Sequence, residues 1–264
     1  MKPLLRILLF SSTVMLTFAC SDNDRLPQQA DPDFQPQNTT RSFSELNSPV
    51  VFIDEAHNNF HTANGRYSAF AKVLSSDGYT VKPSTKAFTL AGLEQADILV
   101  IANALDAGRQ DWTPPFRDAF DAKEVQVIKQ WVSEGGSLFL IADHIPFPKA
   151  AESLSLAFGF EFSNGHVDKA IFRIDDDSLA QHSITKGMKS SEQNNNGADT
   201  FNGLIEPVTK SIRQVRTFGG SAFQAPKDAK ALLILGKGST SLLPEIPFQI
   251  NSETPRVSME GWSQ

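Results

Sequence analysis

DAKEVQVIKQWVSEGGSLFLIADH, residues 121–144, decides the fold class. Asp121 and Glu124 stand at capping-box spacing, the signature of a helix start. Val125, Ile128, Trp131 and Val132 then recur at helical spacing and form one apolar stripe. Gly135 and Gly136 stop the helix. SLFLI follows without a polar break, as expected of a strand covered on both faces. The stretch therefore predicts a helix feeding directly into a buried strand, half of a parallel crossover unit.

The same grammar extends toward the N-terminus. VVFID (50–54) is a first apolar strand. GRYSAFAKVLSSDG follows, with Tyr67, Phe70, Val73 and Leu74 on one helical face and Gly78 as the stop. YTVKP (79–83) and DILVIANAL (97–105) are the second and third strands. Alternating strands and helices predict an α/β fold: a mostly parallel, doubly wound sheet of flavodoxin-like or Rossmann-like type. A further helix is expected over Pro148 to Phe158. Beyond residue 160 the pattern weakens to short, irregular β additions. SIRQVRTF and AKALLILG read as antiparallel strands at the edge or far end of the sheet, and QNNNGADTFNG (193–203) as a polar loop.

In open parallel sheets, ligands bind outside the carboxyl ends of the strands. Three polar loops leave that rim. DEAHNNFH follows the first strand, Asn103 and Asp106 follow the third, and Asp143-His144 follow the fourth. Asp54, His57, Asp143 and His144 are the candidate catalytic residues, because carboxylates and imidazoles there can act as acid and base. Glu55, Asn58, Asn59 and Asn103 are the candidate ligand-binding residues. The competing explanations are local: Asp143 as a cap with His144 packed under the loop, and DEAHNNFH as an Asx-rich turn. The rim groups could also ligate a divalent metal, although neither H-E-x-x-H nor a cysteine cluster is present. With no Ser or Cys at the fourth-strand corner and no G-x-S-x-G, covalent acyl chemistry from that corner is disfavoured. His166 and Asp168 read as an exposed turn in preference to a lid, His182 as structural, Trp112 as a loop anchor in preference to a sugar-stacking ring, and Phe218-Gly219-Gly220-Ser221 as a simple turn.

The formal charge of −6 over 264 residues comes without any Lys/Arg block, which argues against nucleic acid as a partner. The single cysteine excludes an internal disulfide. That cysteine is Cys20, preceded by Lys2, Arg6, an apolar run and Ala19. Residues 1–19 read as a secretory signal, and Ala19-Cys20 resembles a bacterial lipoprotein processing site with Cys20 as the lipidated residue. A plain cleaved signal and an uncleaved anchor are the alternatives. Ser21 after the cysteine resembles lipoproteins sorted to the outer membrane. Residues 20–48, rich in Pro, Gln, Asn and Ser, read as a flexible tether. The folded domain is expected over 49–264, facing the periplasm and joined to the membrane through its lipid.

VVFIDEAHNNFH, ADILVIANAL and EVQVIKQWVSEGGSLFLIADH together resemble the class I glutamine amidotransferase-like superfamily. The resemblance is to an uncharacterised bacterial branch with a D-x-x-H-x-N first strand and a G-G-x-L-x-L-I-A-D fourth strand. HSITKG and RTFGGSAF resemble its later segments, so the resemblance covers roughly residues 49–262. Asp54, His57, Asn59, Asp143 and His144 are the positions that match. True glutamine amidotransferases carry a cysteine at the fourth-strand corner, where this chain has Asp143-His144, so the resemblance does not imply glutaminase activity. Relatives continue past a pair like Gly261-Trp262, which implies a C-terminally truncated domain. Two functions follow as expectations: a hydrolase-type envelope enzyme acting on a small polar or saccharide substrate, or a non-catalytic module that binds a ligand or partner.

Overall fold

The computed structural model describes residues 29–36, 38, 40–106, 108, 112–187 and 210–264. The expected signal, Cys20, the first part of the tether and the 193–203 loop lie outside the described residues. Among the described residues, no helix is long and apolar enough to cross a membrane.

The N-terminal half alternates as expected: β1 (Val50–Asp54), α1 (Ser68–Ser76), β2 (Thr80–Ser84), α2 (Leu90–Leu93), β3 (Ile98–Ala102), α3 (Ala122–Ser133) and β4 (Ser137–Ile141). The four strands form one parallel sheet in the order β2-β1-β3-β4. Side chains alternate across it, as the pleat requires. Val51, Ile53 and Val100 point to the face covered by α1 through Phe70 and Leu74. Leu99 and Ile101 point to the opposite face, against Ile128 and Trp131 of α3 and the buried Leu154. The chain is thus an α/β protein with helices on both faces of a parallel sheet.

The α3 capping box forms as read. The Asp121 carboxylate accepts from the N–H groups of Lys123 and Glu124 at 2.8 Å, and Glu124 Oε2 accepts from the Asp121 N–H at 3.2 Å. Past the helix, a β-carbon at Gly136 would lie 2.2 Å from the Trp131 ring, so only glycine lets β4 start this close under α3.

The structure departs from the sequence expectation in three places. The helix expected over 148–158 is two short pieces, α4 (Phe147–Ala150) and α5 (Glu152–Ala157), interrupted at Ala151. The later strands do not extend the parallel sheet. SIRQVRTF contributes β8 (Gln214–Arg216), which pairs antiparallel with β7 (Ile171–Arg173), and AKALLILG makes only bridges, Leu233 to Leu179 and Ile234 to Ser263. Around them lie β5 (Glu161–Phe162) paired with β9 (Phe223–Gln224), and β6 (His166–Val167) paired with β10 (Thr240–Leu242) and β11 (Arg256–Ser258). These two- and three-residue strands enclose their own small core of Val167, Phe172, Leu179, Leu235 and Met259. Finally, the stretch read as tether contacts the domain well before residue 49. Lys72 donates to the Pro32 and Phe34 carbonyls at 3.2 and 2.9 Å, and the Phe43 ring lies 4.8 Å from Tyr79.

Asp121→Ala removes the side-chain acceptor at the start of α3 and should cost about 1 kcal/mol. In urea titrations the midpoint should fall with an unchanged slope; an unchanged midpoint would mean the cap contributes nothing.

Candidate functional site

The strand order reverses between β1 and β3, and it is at such a switch point that the carboxyl ends of the strands leave a crevice. The loops after β1, β3 and β4 all open on this edge. The four expected catalytic residues share the edge but divide into two pairs with different surroundings.

The first pair is enclosed. Asp54 is fully buried at the end of β1, and His57 is nearly so. His57 Nδ1 lies 3.0 and 2.9 Å from the two Asp54 oxygens, and its Nε2 lies 3.0 Å from Glu124 Oε1 at the start of α3. With a carboxylate on each side, both ring nitrogens act as donors. The remaining lone pairs are taken up as well. Asp54 accepts from the Ala56 N–H at 3.1 Å and Asn59 Nδ2 at 3.0 Å, and Glu124 Oε1 accepts from the Phe88 N–H at 2.9 Å. Phe88 and Phe120 hold the imidazole between them, with ring centroids 4.8 and 4.7 Å away. Burial acts to lower the His57 pKa, but the hydrogen bonds and charges of Asp54 and then Glu124 outweigh it and raise the pKa above its ordinary value.

The four expected ligand-binding residues are mostly occupied in holding these loops. Glu55 accepts from the Ala63 N–H at 2.8 Å, and the Asn59 amide oxygen accepts from the His57 N–H at 3.2 Å. Asn58 is exposed with φ 48°. Asn103 is buried with φ 53° and joins all three loops. Its N–H donates to the Ile141 carbonyl at 2.9 Å, its carbonyl accepts from the Phe60 N–H at 3.0 Å, and its side-chain oxygen accepts from the Asp143 N–H at 2.9 Å. Asparagine tolerates the left-handed backbone region better than most residues, and here its side chain anchors the β4 exit.

The second pair is open. The Asp143 side chain is 33% exposed and accepts no hydrogen bond among the described residues; His144 Nε2 is 3.8 Å from its Oδ2. His144 Nδ1 donates to the Ile145 carbonyl at 2.7 Å, which leaves Nε2 with a lone pair. Two further histidines, both missing from the sequence-based candidates, approach this pair. The His166 ring on β6 is 5.5 Å from His144, and its Nδ1 is buried without a partner. His61 stacks on Tyr67 at 4.4 Å, and its Nδ1 is likewise buried and unpartnered. Burial lowers the His61 pKa; the Arg66 charge adds to this and Asp143 opposes it. Burial, then the Asp143 charge, raises the Tyr67 pKa.

Phe218-Gly219-Gly220-Ser221, read as a simple turn, forms a wall of this site. A β-carbon at Gly219 would lie 3.2 Å from His166 Nε2, and one at Gly220 would lie 3.5 Å from Asp143 Oδ1. Both glycines have positive φ, 129° and 101°. Ser221 Oγ ties the wall to the β4 exit by donating to the Ala142 carbonyl at 2.9 Å. Trp112, Phe147 and Phe248 surround His144 with ring centroids at 6.2, 5.9 and 5.1 Å. Asp168, read with His166 as an exposed turn, is exposed and reaches Arg256 at 3.4 Å. His182 caps α6 (Ser183–Lys186), accepting weakly from the Ile184 N–H at 3.3 Å. No group of three or more His, Cys, Asp or Glu side chains among the described residues is arranged to hold a metal ion.

No protein-family model matches the chain, and no curated protein does. Among solved structures it is similar to one described as the mmIFT52 N-terminal domain, at 13% identity and a TM-score of 0.47, over 70% of this chain and 72% of that one. So loose a likeness transfers neither site nor partner.

His57→Ala leaves two buried carboxylates without their shared cation and should cost roughly 3–5 kcal/mol. Because the folded His57 pKa is raised, its stabilisation is complete below pH ~6.5 and is lost as pH rises through the folded value. The stability difference between wild type and His57→Ala, followed by urea denaturation from acid to alkaline pH, should therefore shrink with rising pH. A pH-independent difference would contradict this assignment.

Proposed function

We propose that the Asp143–His144 rim is the acid–base site of a hydrolase-type enzyme acting on a small polar substrate, in a lipid-anchored, periplasm-facing relative of the glutamine amidotransferase-like superfamily. The observation that carries this reading is the Asp143 carboxylate: it is one-third exposed and accepts no hydrogen bond among the described residues, with His144 Nε2 3.8 Å away and the imidazoles of His61 from the β1 exit and His166 from β6 nearby. A carboxylate that keeps exposure and open acceptor positions amid imidazole and aromatic rings is placed to meet a ligand or a water. Asp54 and His57 match the superfamily resemblance but have no free atom to offer, so we assign them a positioning role.

The chemistry follows from the tautomer. His144 Nδ1–H is fixed on a carbonyl, so Nε2 can take a proton from an attacking water, and Asp143 stabilises the imidazolium that forms. The His144 imidazolium then returns that proton to the leaving group, and His61, its pKa lowered by burial and by Arg66, adds no positive charge to compete for the carboxylate. The Gly219 and Gly220 N–H groups donate to no acceptor among the described residues, and the turn that carries them borders His166 and Asp143, so they are candidates to meet developing negative charge. Glutamine hydrolysis through a cysteine thiolate is no part of this reading, because the corner carries Asp143-His144.

A non-catalytic binding module would use the same rim, and the lack of a Ser or Cys nucleophile at the corner favours it. Turnover separates the two readings. Across a panel of p-nitrophenyl esters, glycosides and phosphodiesters, Asp143→Asn and His144→Ala should each lower the rate of the best substrate by roughly 10²–10⁴-fold. Wild-type rates in both variants, or no turnover of any substrate, would remove the hydrolytic reading.

A further inference from the structure

The turn Ile246-Pro247-Phe248-Gln249 is closed by the Gln249 N–H donating to the Ile246 carbonyl at 3.1 Å. Proline at the second position and a positive φ at the third are the type II pattern, whose third position belongs to glycine or asparagine. Here it is Phe248, with φ 64°. A bulky side chain in the left-handed region is strained, and such strain persists where the surroundings or a function hold it. Burial gives no compensation, since Phe248 remains 63% exposed.

The ring nevertheless has a defined place. It leans on Trp112 at 5.7 Å and meets His144 edge-on at 5.1 Å. Trp112 continues inward to Phe60 at 5.3 Å and Phe147 at 5.2 Å, and Phe147 is fully buried. A run of aromatic rings thus leads from the core to an exposed face beside His144, the neighbour of Asp143. The Arg66 guanidinium sits over the Phe60 ring at 3.9 Å.

We infer that Phe248, backed by Trp112, is a stacking platform for a pyranose ring, so that the substrate of the Asp143–His144 site is a saccharide. The inference rests on the acid–base reading for the reaction, though not for binding. A pyranose joins an apolar C–H face to a rim of hydroxyls. The C–H face suits an exposed aromatic face. The hydroxyls suit the one-third exposed Asp143 carboxylate, the His144 imidazole beside it and the Arg66 guanidinium. Sites that fix a small ligand commonly combine an apolar wall with a few converging polar groups in this way.

The test uses the full chain on an array of uncharged pyranosides, with adenosine as a base-stacking competitor and Phe248→Gly and Phe248→Tyr as variants. Wild type should bind at least one pyranoside class, and adenosine should not displace it. Phe248→Gly should melt at or above the wild-type temperature, because its backbone fits the turn, while affinity falls roughly tenfold or more, the equivalent of ~1.4 kcal/mol. Phe248→Tyr should retain binding. Absence of pyranoside binding, undiminished binding by Phe248→Gly, displacement by adenosine, or a Phe248→Gly melting temperature well below wild type would each overturn the platform. Pyranoside binding without turnover would uphold it and retire the hydrolytic reading. Turnover of a non-sugar ester without pyranoside binding would do the reverse.

Discussion

The candidate site is organised around one imidazole held between two carboxylates. His57 joins the end of β1, through Asp54, to the first turn of α3, through Glu124, and the Phe88 N–H ties the approach to α2 into the same knot. Burying three ionisable groups is costly unless each donor and acceptor is matched, because a charge left unpaired in the interior is far worse than no charge. Here backbone N–H groups and the Asn59 amide take the lone pairs that His57 does not, and two phenylalanine rings exclude water from the imidazole. The result is a braced, buried strut at the switch point of the sheet.

That strut fixes the loop whose far end carries His61. Asn103 does the equivalent work for the β4 exit, with its backbone in the left-handed region and its side chain on the Asp143 N–H. The division of labour is physical. Groups with saturated hydrogen bonding and no exposure hold position, while groups with free lone pairs and some exposure are available for a ligand. Asp54–His57–Glu124 belong to the first class. Asp143 and His144 have the properties of the second, and His61 and His166, each with a buried unpartnered Nδ1, lie beside them.

The sheet was legible in the sequence because β1, β3 and β4 are unbroken apolar runs and α3 carries a clean stripe with a capping box. Location at the strand ends was legible for the same reason, since parallel strands present their carboxyl ends at one edge. What could not be read was the use made of each residue. Glu124 was fully accounted for by its capping-box spacing, which gave no hint that its second oxygen reaches His57. His166 and the Gly219-Gly220 wall arrive through antiparallel pairing, Leu242 with His166, and the Val167 N–H on the Gly220 carbonyl. Contacts between two- and three-residue strands far apart in the chain leave no periodic signal. Phe248 shows the same limit from the other side: only the backbone angle reveals a phenylalanine where glycine is at home.

The division between strut and site is tested most directly by the protonation state of the individual histidines, read from ¹⁵N chemical shifts in long-range ¹H–¹⁵N spectra at neutral pH. His57 should show both ring nitrogens protonated, whereas His61 should show one protonated and one free. A neutral His57 at pH 7, or a His61 that titrates above its ordinary value, would contradict the assignment of bracing to the first and of an uncharged ring beside the site to the second.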